Sequence, residues 1–205
     1  MDFVPIASSS KGTRYLITSA GGPSLLIEAG IPARRVREHL GFSLSDIAGC
    51  LVSHQHGDHA SGVKDILKAG VDVWTSIETA EALGLVGHHR ICFLTAGEGV
   101  RINQWQVLPF DLHHDVPTHG FFIKAPDGDR LLFIPDTAYI RNRFEGVNIL
   151  AIECNHVADI LSDNIQRGNL PPVVGKRVRR SHMSLEQVIA MLKANDLSRL
   201  REVWL

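Results

Sequence analysis

Short apolar runs separated by Gly, Pro and polar clusters divide this chain into elements. Phe3 to Ala7 reads as a strand, and Ser8-Ser9-Ser10-Lys11-Gly12 as a tight polar turn. Arg14 to Thr18 and Ser24 to Glu28, joined by Gly21-Gly22-Pro23, predict an antiparallel pair. Pro32 fits the first turn of a helix running to about Leu40, with Gly41 at its stop. Ile47 to Val52 is a continuous apolar run ending at Ser53, the pattern of a buried strand. Lys64 to Ala69 and Ile77 to Leu83 read as helices on either side of a strand from Val71 to Thr75. Ile91 to Thr95, Gly99 to Ile102, Gln104 to Phe110, Phe121 to Ala125 and Arg130 to Ile134 read as strands. The last two flank Pro126-Asp127-Gly128-Asp129, a hairpin signal. Val147 to Glu153 is a further buried strand, and Val157 to Arg167 a helix ended by Gly168, with Pro171-Pro172 blocking continuation. Ser184 with Gln187 three positions later matches a capping box for a helix to about Ala194, and Arg201 to Leu205 is a final strand. Strands alternating with helices, with hairpins between, argue for a mixed α/β sandwich. No repeat, low-complexity segment or linker interrupts residues 1–205, so a single domain is expected.

Composition narrows the classes. At 205 residues the chain can bury a full core, and 44% hydrophobic with 21% charged residues is ordinary for a soluble globular protein. A net charge of −1 provides no global basic field for nucleic acid, although local patches still can. Cys50, Cys92 and Cys154 each lie in or beside an apolar run, which predicts buried free thiols in a reducing compartment. They lack the spacing of a cysteine zinc site. The start Met1-Asp2-Phe3 has no signal-peptide pattern and no run would span a bilayer, so a cytoplasmic protein without a membrane partner is expected.

The chemistry concentrates in Leu51-Val52-Ser53-His54-Gln55-His56-Gly57-Asp58-His59-Ala60. Four potential metal ligands, His54, His56, Asp58 and His59, fall on a loop that follows a strand, where α/β sheets place their ligands. Neutral imidazole and carboxylate suit zinc, manganese and iron(II). His54 and His56 are spaced to point at one ion, and Asp58 and His59 at a second. A solvated histidine-rich loop is the bland alternative. A second histidine-rich segment, Asp111-Leu112-His113-His114-Asp115-Val116-Pro117-Thr118-His119, also ends an apolar strand, and alternation allows only one of His113 and His114 to face a site there. Lys176, Arg177, Arg179 and Arg180 form a cationic run ahead of His182 and the capped helix, a combination suited to phosphate contacts; a solvated basic surface is the ordinary alternative.

The HxHxDH pattern of residues 54–59 resembles the metallo-β-lactamase superfamily, whose fold is a four-layer αββα sandwich. The resemblance extends over essentially the whole chain. It implies His114 as a third histidine ligand, because Gly120-Phe121 follows six positions on. It implies that Asp136, in Pro135-Asp136-Thr137, bridges two metals through its two oxygens. The Ser-Ser-Ser opening and Leu-Ile-Glu-Ala-Gly strand look like one branch of the superfamily, with Thr13 in place of an asparagine and Glu28 in place of an aspartate. Glu153 and the His182-Met183-Ser184 element are similar to the nuclease branch, more to the WalJ-like DNA exonucleases than to the ribonuclease Z-like enzymes. In that branch a His-x-Ser element follows the last strand, so this domain is expected to lack its C-terminal tail. The resemblance therefore implies a metal-dependent phosphodiesterase on DNA, with RNA less favoured, that uses two divalent ions (zinc or manganese) and a metal-activated bridging hydroxide. Asp58 would accept a proton, His182 would act as acid or ligand, Lys176, Arg177, Arg179 and Arg180 would bind substrate, and a homodimer stays open. A thioesterase or lactonase of the same fold and a non-catalytic metal-binding protein are the alternatives.

Overall fold

Twelve strands in two six-stranded mixed sheets, with helices, make up the described part of the chain. The computed structural model describes all residues except residue 10, residues 36–43 and the side chain of residue 45. The helix expected from Pro32 is helical at residues 33–35, and its remainder lies outside the described residues. The chain divides into two compact units, Met1–Pro109 with Ile123–Asp129, and Phe110–Phe122 with Arg130–Leu205.

In the first unit, β1 (Asp2–Ala7), β2 (Arg14–Thr18), β3 (Ser24–Ile27), β4 (Ile47–Leu51), β5 (Val73–Thr75) and β6 (Ile91–Phe93) lie in chain order across one sheet. The first three pair antiparallel and the last three add in parallel. Parallel pairing of β3 with β4 sets Leu26 opposite Cys50 and Ile27 opposite Leu51. Both strands therefore deliver their following loops to the same end of the sheet. A four-residue helix α1 (Gly57–Ala60) follows β4, then α2 (Val63–Lys68) and, after β5, α3 (Ile77–Ala82). Val63, Ile66 and Leu67 of α2 recur at helical spacing and pack with Leu16, Leu26, Cys50 and Val52. Fully burying each such side chain contributes about 1.5–3 kcal/mol.

The cysteines depart partly from expectation. All three are free, but only Cys50 is fully buried; Cys92 and Cys154 are half-buried. Burial pushes the Cys50 thiol up to about 12. Cys50 is therefore expected to resist iodoacetamide in the folded protein while Cys92 and Cys154 are modified. Mass spectrometry of alkylated peptides checks this, and rapid labelling of Cys50 would contradict it.

The second sheet runs β12 (Glu202–Trp204), β11 (Ile149–Ile152), β10 (Arg130–Ile134), β9 (Thr118–Lys124), β8 (Trp105–Leu112) and β7 (Val100–Ile102). Within the second unit, β10, β11 and β12 pair in parallel. Helices α4 (Ala158–Gln166), α5 (Pro172–Ser181) and α6 (Leu185–Ala194) follow β11. Val188 and Met191 of α6 join Leu132, Ile134, Leu150, Ile152 and Phe144 in that unit's core. The α6 capping box forms as its sequence predicts: Ser184 Oγ accepts from Gln187 N, and Gln187 Oε1 accepts from Ser184 N at 2.8 Å.

The cationic run 176–180 is itself helical, which the Pro-Pro signal obscured. Proline stops a preceding helix but suits the first turn of the next, and Pro172 opens α5. No helix among the described residues is long and apolar enough to cross a membrane.

Candidate metal centre

The first unit contributes the 54–59 loop. Its shape is set from behind, mainly by backbone. Thr13 N and Thr13 Oγ1 both donate to Asp58 O, at 2.7 and 2.9 Å. Ala29 N donates to His59 O at 2.7 Å, and Gly62 N to Ala29 O at 2.7 Å. The chain after β3 must pass so close that a Cβ on Gly30 would lie 1.6 Å from Asp58 O, and one on Gly62 2.5 Å from Ile31 O. Thr13, standing where the resembling branch has asparagine, thus pins the loop.

Glu28, the longer acid in place of aspartate, is fully buried with a left-handed backbone (φ 64°). Its Oε2 accepts from Ser53 N at 3.4 Å, and its Oε1 lies 3.4 Å from His59 Nδ1. A carboxylate behind an imidazole fixes which nitrogen points outward. His59 Nε2 then lies 3.7 Å from Asp58 Oδ2. His54 Nδ1 is 2.8 Å from Ser53 Oγ, and its ring centroid is 4.7 Å from that of His56 and 4.2 Å from that of His59. The unit therefore gathers His54, His56, Asp58 and His59 on one buried-to-half-buried loop.

The second unit contributes His114, Asp136, Glu153 and His182. His114 Nδ1 meets Ser181 O at 2.8 Å, the carbonyl end of α5, and its Nε2 faces Asp136 Oδ2 at 3.7 Å and Asp115 Oδ1 at 3.1 Å. With Nδ1–H donated to a carbonyl, Nε2 carries the lone pair. Burial holds the His114 pKa below its ordinary value, opposed by the Ser181 contact and Asp136, which keeps the imidazole in the neutral, ligating form.

Glu153, at the end of β11, is the hub of this unit. Its Oε1 accepts from Thr137 N at 2.6 Å and Met183 N at 3.1 Å, while Oε2 meets His182 Nδ1 at 2.8 Å. Burial raises the Glu153 pKa against these bonds. For His182 burial pulls down, but the Glu153 hydrogen bond and charge prevail and its pKa is raised. Asp136, Glu153 and His182 each present a ligand atom, all within 4.8 Å of one another. The donor set in each unit, imidazole with carboxylate, fits a divalent ion.

The remaining expected residues divide. His113 is exposed against Tyr139, and His119 is buried with Nε2 3.5 Å from Asp111 Oδ1. Lys176, Arg177, Arg179 and Arg180 are all exposed. Arg177 lies 3.5 Å from Asp115, whereas Arg179 donates to Ser162 on α4 at 2.9 Å. Sequence reasoning overlooked Asp115 and Tyr139. Asp115 adjoins His114 and could have been found; Tyr139 carried no signal.

Two mixed sheets with helices, and histidine–carboxylate loops at their strand ends, define an α/β protein of the metallo-β-lactamase class. The chain belongs to the beta-lactamase superfamily: residues 22–201 match the beta-lactamase superfamily domain. It is 23% identical over 192 residues to exodeoxyribonuclease YycJ of Bacillus anthracis, across 87% of this chain and 70% of that one. It is 25% identical over 170 residues to exodeoxyribonuclease WalJ of Streptococcus pneumoniae, across 76% and 63%. The chain thus spans about two thirds of the length of these relatives. The human short-form tRNase Z structure covers 100% of this chain and 96% of its own at TM-score 0.68 and 15% identity, a likeness of fold.

Proposed function

We propose that the protein is a metal-dependent phosphodiesterase acting on nucleic acid, with DNA favoured over RNA. Superfamily membership and nuclease-named relatives support a hydrolase. The observation that carries the finer reading is the contact chain Arg177–Asp115–His114, which sets a cation of α5 beside a candidate ligand. A phosphate is the group such a cation serves. DNA is favoured because the exodeoxyribonuclease-named relatives align with 87% and 76% of the chain, against 54% for ribonuclease Z of Thermobifida fusca.

In this reading His54, His56 and His114 would hold one ion, Asp58 and His59 a second, and Asp136 would be shared between them. Two divalent cations, zinc or manganese, would lower the pKa of a water and neutralise phosphate charge. Asp58 accepts a proton at its carboxylate. His182, its Nδ1 fixed by Glu153, turns Nε2 outward and donates to the leaving oxygen, a role typically contributing about 10²–10⁴-fold. Lys176, Arg177, Arg179 and Arg180 draw in the substrate backbone.

Labelled single- and double-stranded DNA and RNA, incubated with zinc- or manganese-loaded protein, test the proposal. Cleavage abolished by His56→Ala is expected; no cleavage of any substrate rejects it. Neutralising Lys176, Arg177, Arg179 and Arg180 together should weaken binding and flatten its salt dependence, by a slope of about 0.7 per lost contact on single strands. Thioester turnover untouched by that variant would point to a small-molecule hydrolase.

A further inference from the structure

We infer that His113, Tyr139 and Arg141 form a stacking platform for a nucleobase of a single-stranded nucleic acid, a reading that rests on the phosphodiesterase proposal. The His113 and Tyr139 rings lie 4.7 Å apart between centroids and are tilted by 31°. The Arg141 guanidinium sits 5.3 Å from the centre of the Tyr139 ring, and its Nη2 donates to the Tyr139 hydroxyl at 2.7 Å. Three planar groups from two segments are thus gathered in one place. His113 and Arg141 are exposed and Tyr139 is half-buried, so this gathering serves no core.

Hydrogen bonds hold the two segments in register. His113 N donates to Thr137 Oγ1 at 3.0 Å, and Ala138 N donates to His113 O at 2.7 Å. Thr137 Oγ1 donates in turn to Tyr139 O at 2.9 Å, and Gln187 Nε2 donates to Ala138 O at 2.9 Å. Ordering therefore costs little when a ligand arrives. The platform also has a defined address. His113 adjoins His114, and Tyr139 stands three residues after Asp136.

Imidazole, phenol and guanidinium are the planar groups on which unstacked bases rest, and arginine adds a cation–π component. A base within a duplex has both faces covered, so the platform selects a single strand or a frayed end. Stacking of this kind is indifferent to base identity. It holds one base of the bound strand, and leaves phosphate contacts to α5.

The test uses metal-loaded protein and fluorescently labelled phosphorothioate oligothymidylate, which resists cleavage, beside an abasic oligomer of equal length and charge. Anisotropy titration reads affinity. Wild-type protein is expected to bind the base-bearing oligomer about tenfold more tightly than the abasic one. His113→Ala with Tyr139→Leu should remove that difference and leave abasic binding unchanged, while Tyr139→Phe should retain it. Equal wild-type binding of both oligomers, or a double variant that keeps the difference, overturns the platform alone. Wild-type binding of neither oligomer overturns the phosphodiesterase reading together with it.

Discussion

Asp136→Ala is expected to abolish metal-dependent hydrolysis, lowering kcat/KM by at least about a thousandfold. On the proposed reading Asp136 would be shared by two ions, and two-metal sites supply several kcal/mol of transition-state stabilisation; each 1.4 kcal/mol is tenfold in rate. In the second unit His114 Nε2 faces Asp136 at 3.7 Å, and Glu153 and His182 have ligand atoms within 4.8 Å of its own. Its side chain is partly exposed at 19%, so truncation opens no cavity in the core. Elemental analysis should show fewer ions per chain with circular dichroism unchanged. A variant that keeps full metal content and turnover would remove Asp136 from the site.

The second large effect falls on stability. Gly30→Ala is expected to destabilise the fold by about 3 kcal/mol or more, at the upper end of overpacking costs. The added Cβ would lie 1.6 Å from Asp58 O, 2.5 Å from Asp58 C and 2.6 Å from Thr13 N. All three are backbone atoms, so no rotamer change relieves the clash. Either the strand exit or the ligand loop must move. At roughly 2–4 °C per kcal/mol for a chain of this size, the melting temperature should fall by about 6–12 °C. Gly57→Ala is the control, because nothing lies within 4 Å of its Cβ and it opens α1. Equal melting temperatures for the two variants would disprove the packing argument.

Much of this was legible in the sequence because local chemistry announced it. The buried run at Ile47, the hairpin at Pro126 to Asp129 and the capping box at Ser184 each combine a pattern with a terminator, and β4, β9–β10 and α6 lie within a few residues of where those signals put them. The family could be read because four potential metal ligands stood within six positions. Helix α5 escaped because its charges hide any apolar stripe: only Gly175 and Ser181 are buried along it. The Glu153 hub escaped in part because its partners lie at Thr137, His182 and Met183, distances in sequence that no periodicity reports. In the sequence Thr13 and Glu28 stand only as replacements for an asparagine and an aspartate. In three dimensions both still reach the ligand loop.

The bonds behind that loop carry a consequence for descent. Ala29 N to His59 O, Gly62 N to Ala29 O and Thr13 N to Asp58 O join main chain to main chain. A peptide group is the same whichever residue bears it, so these bonds are blind to most substitutions. Only the glycines, where a methyl would collide, are held fixed. A scaffold built this way lets the surrounding letters drift while the imidazoles stay aimed.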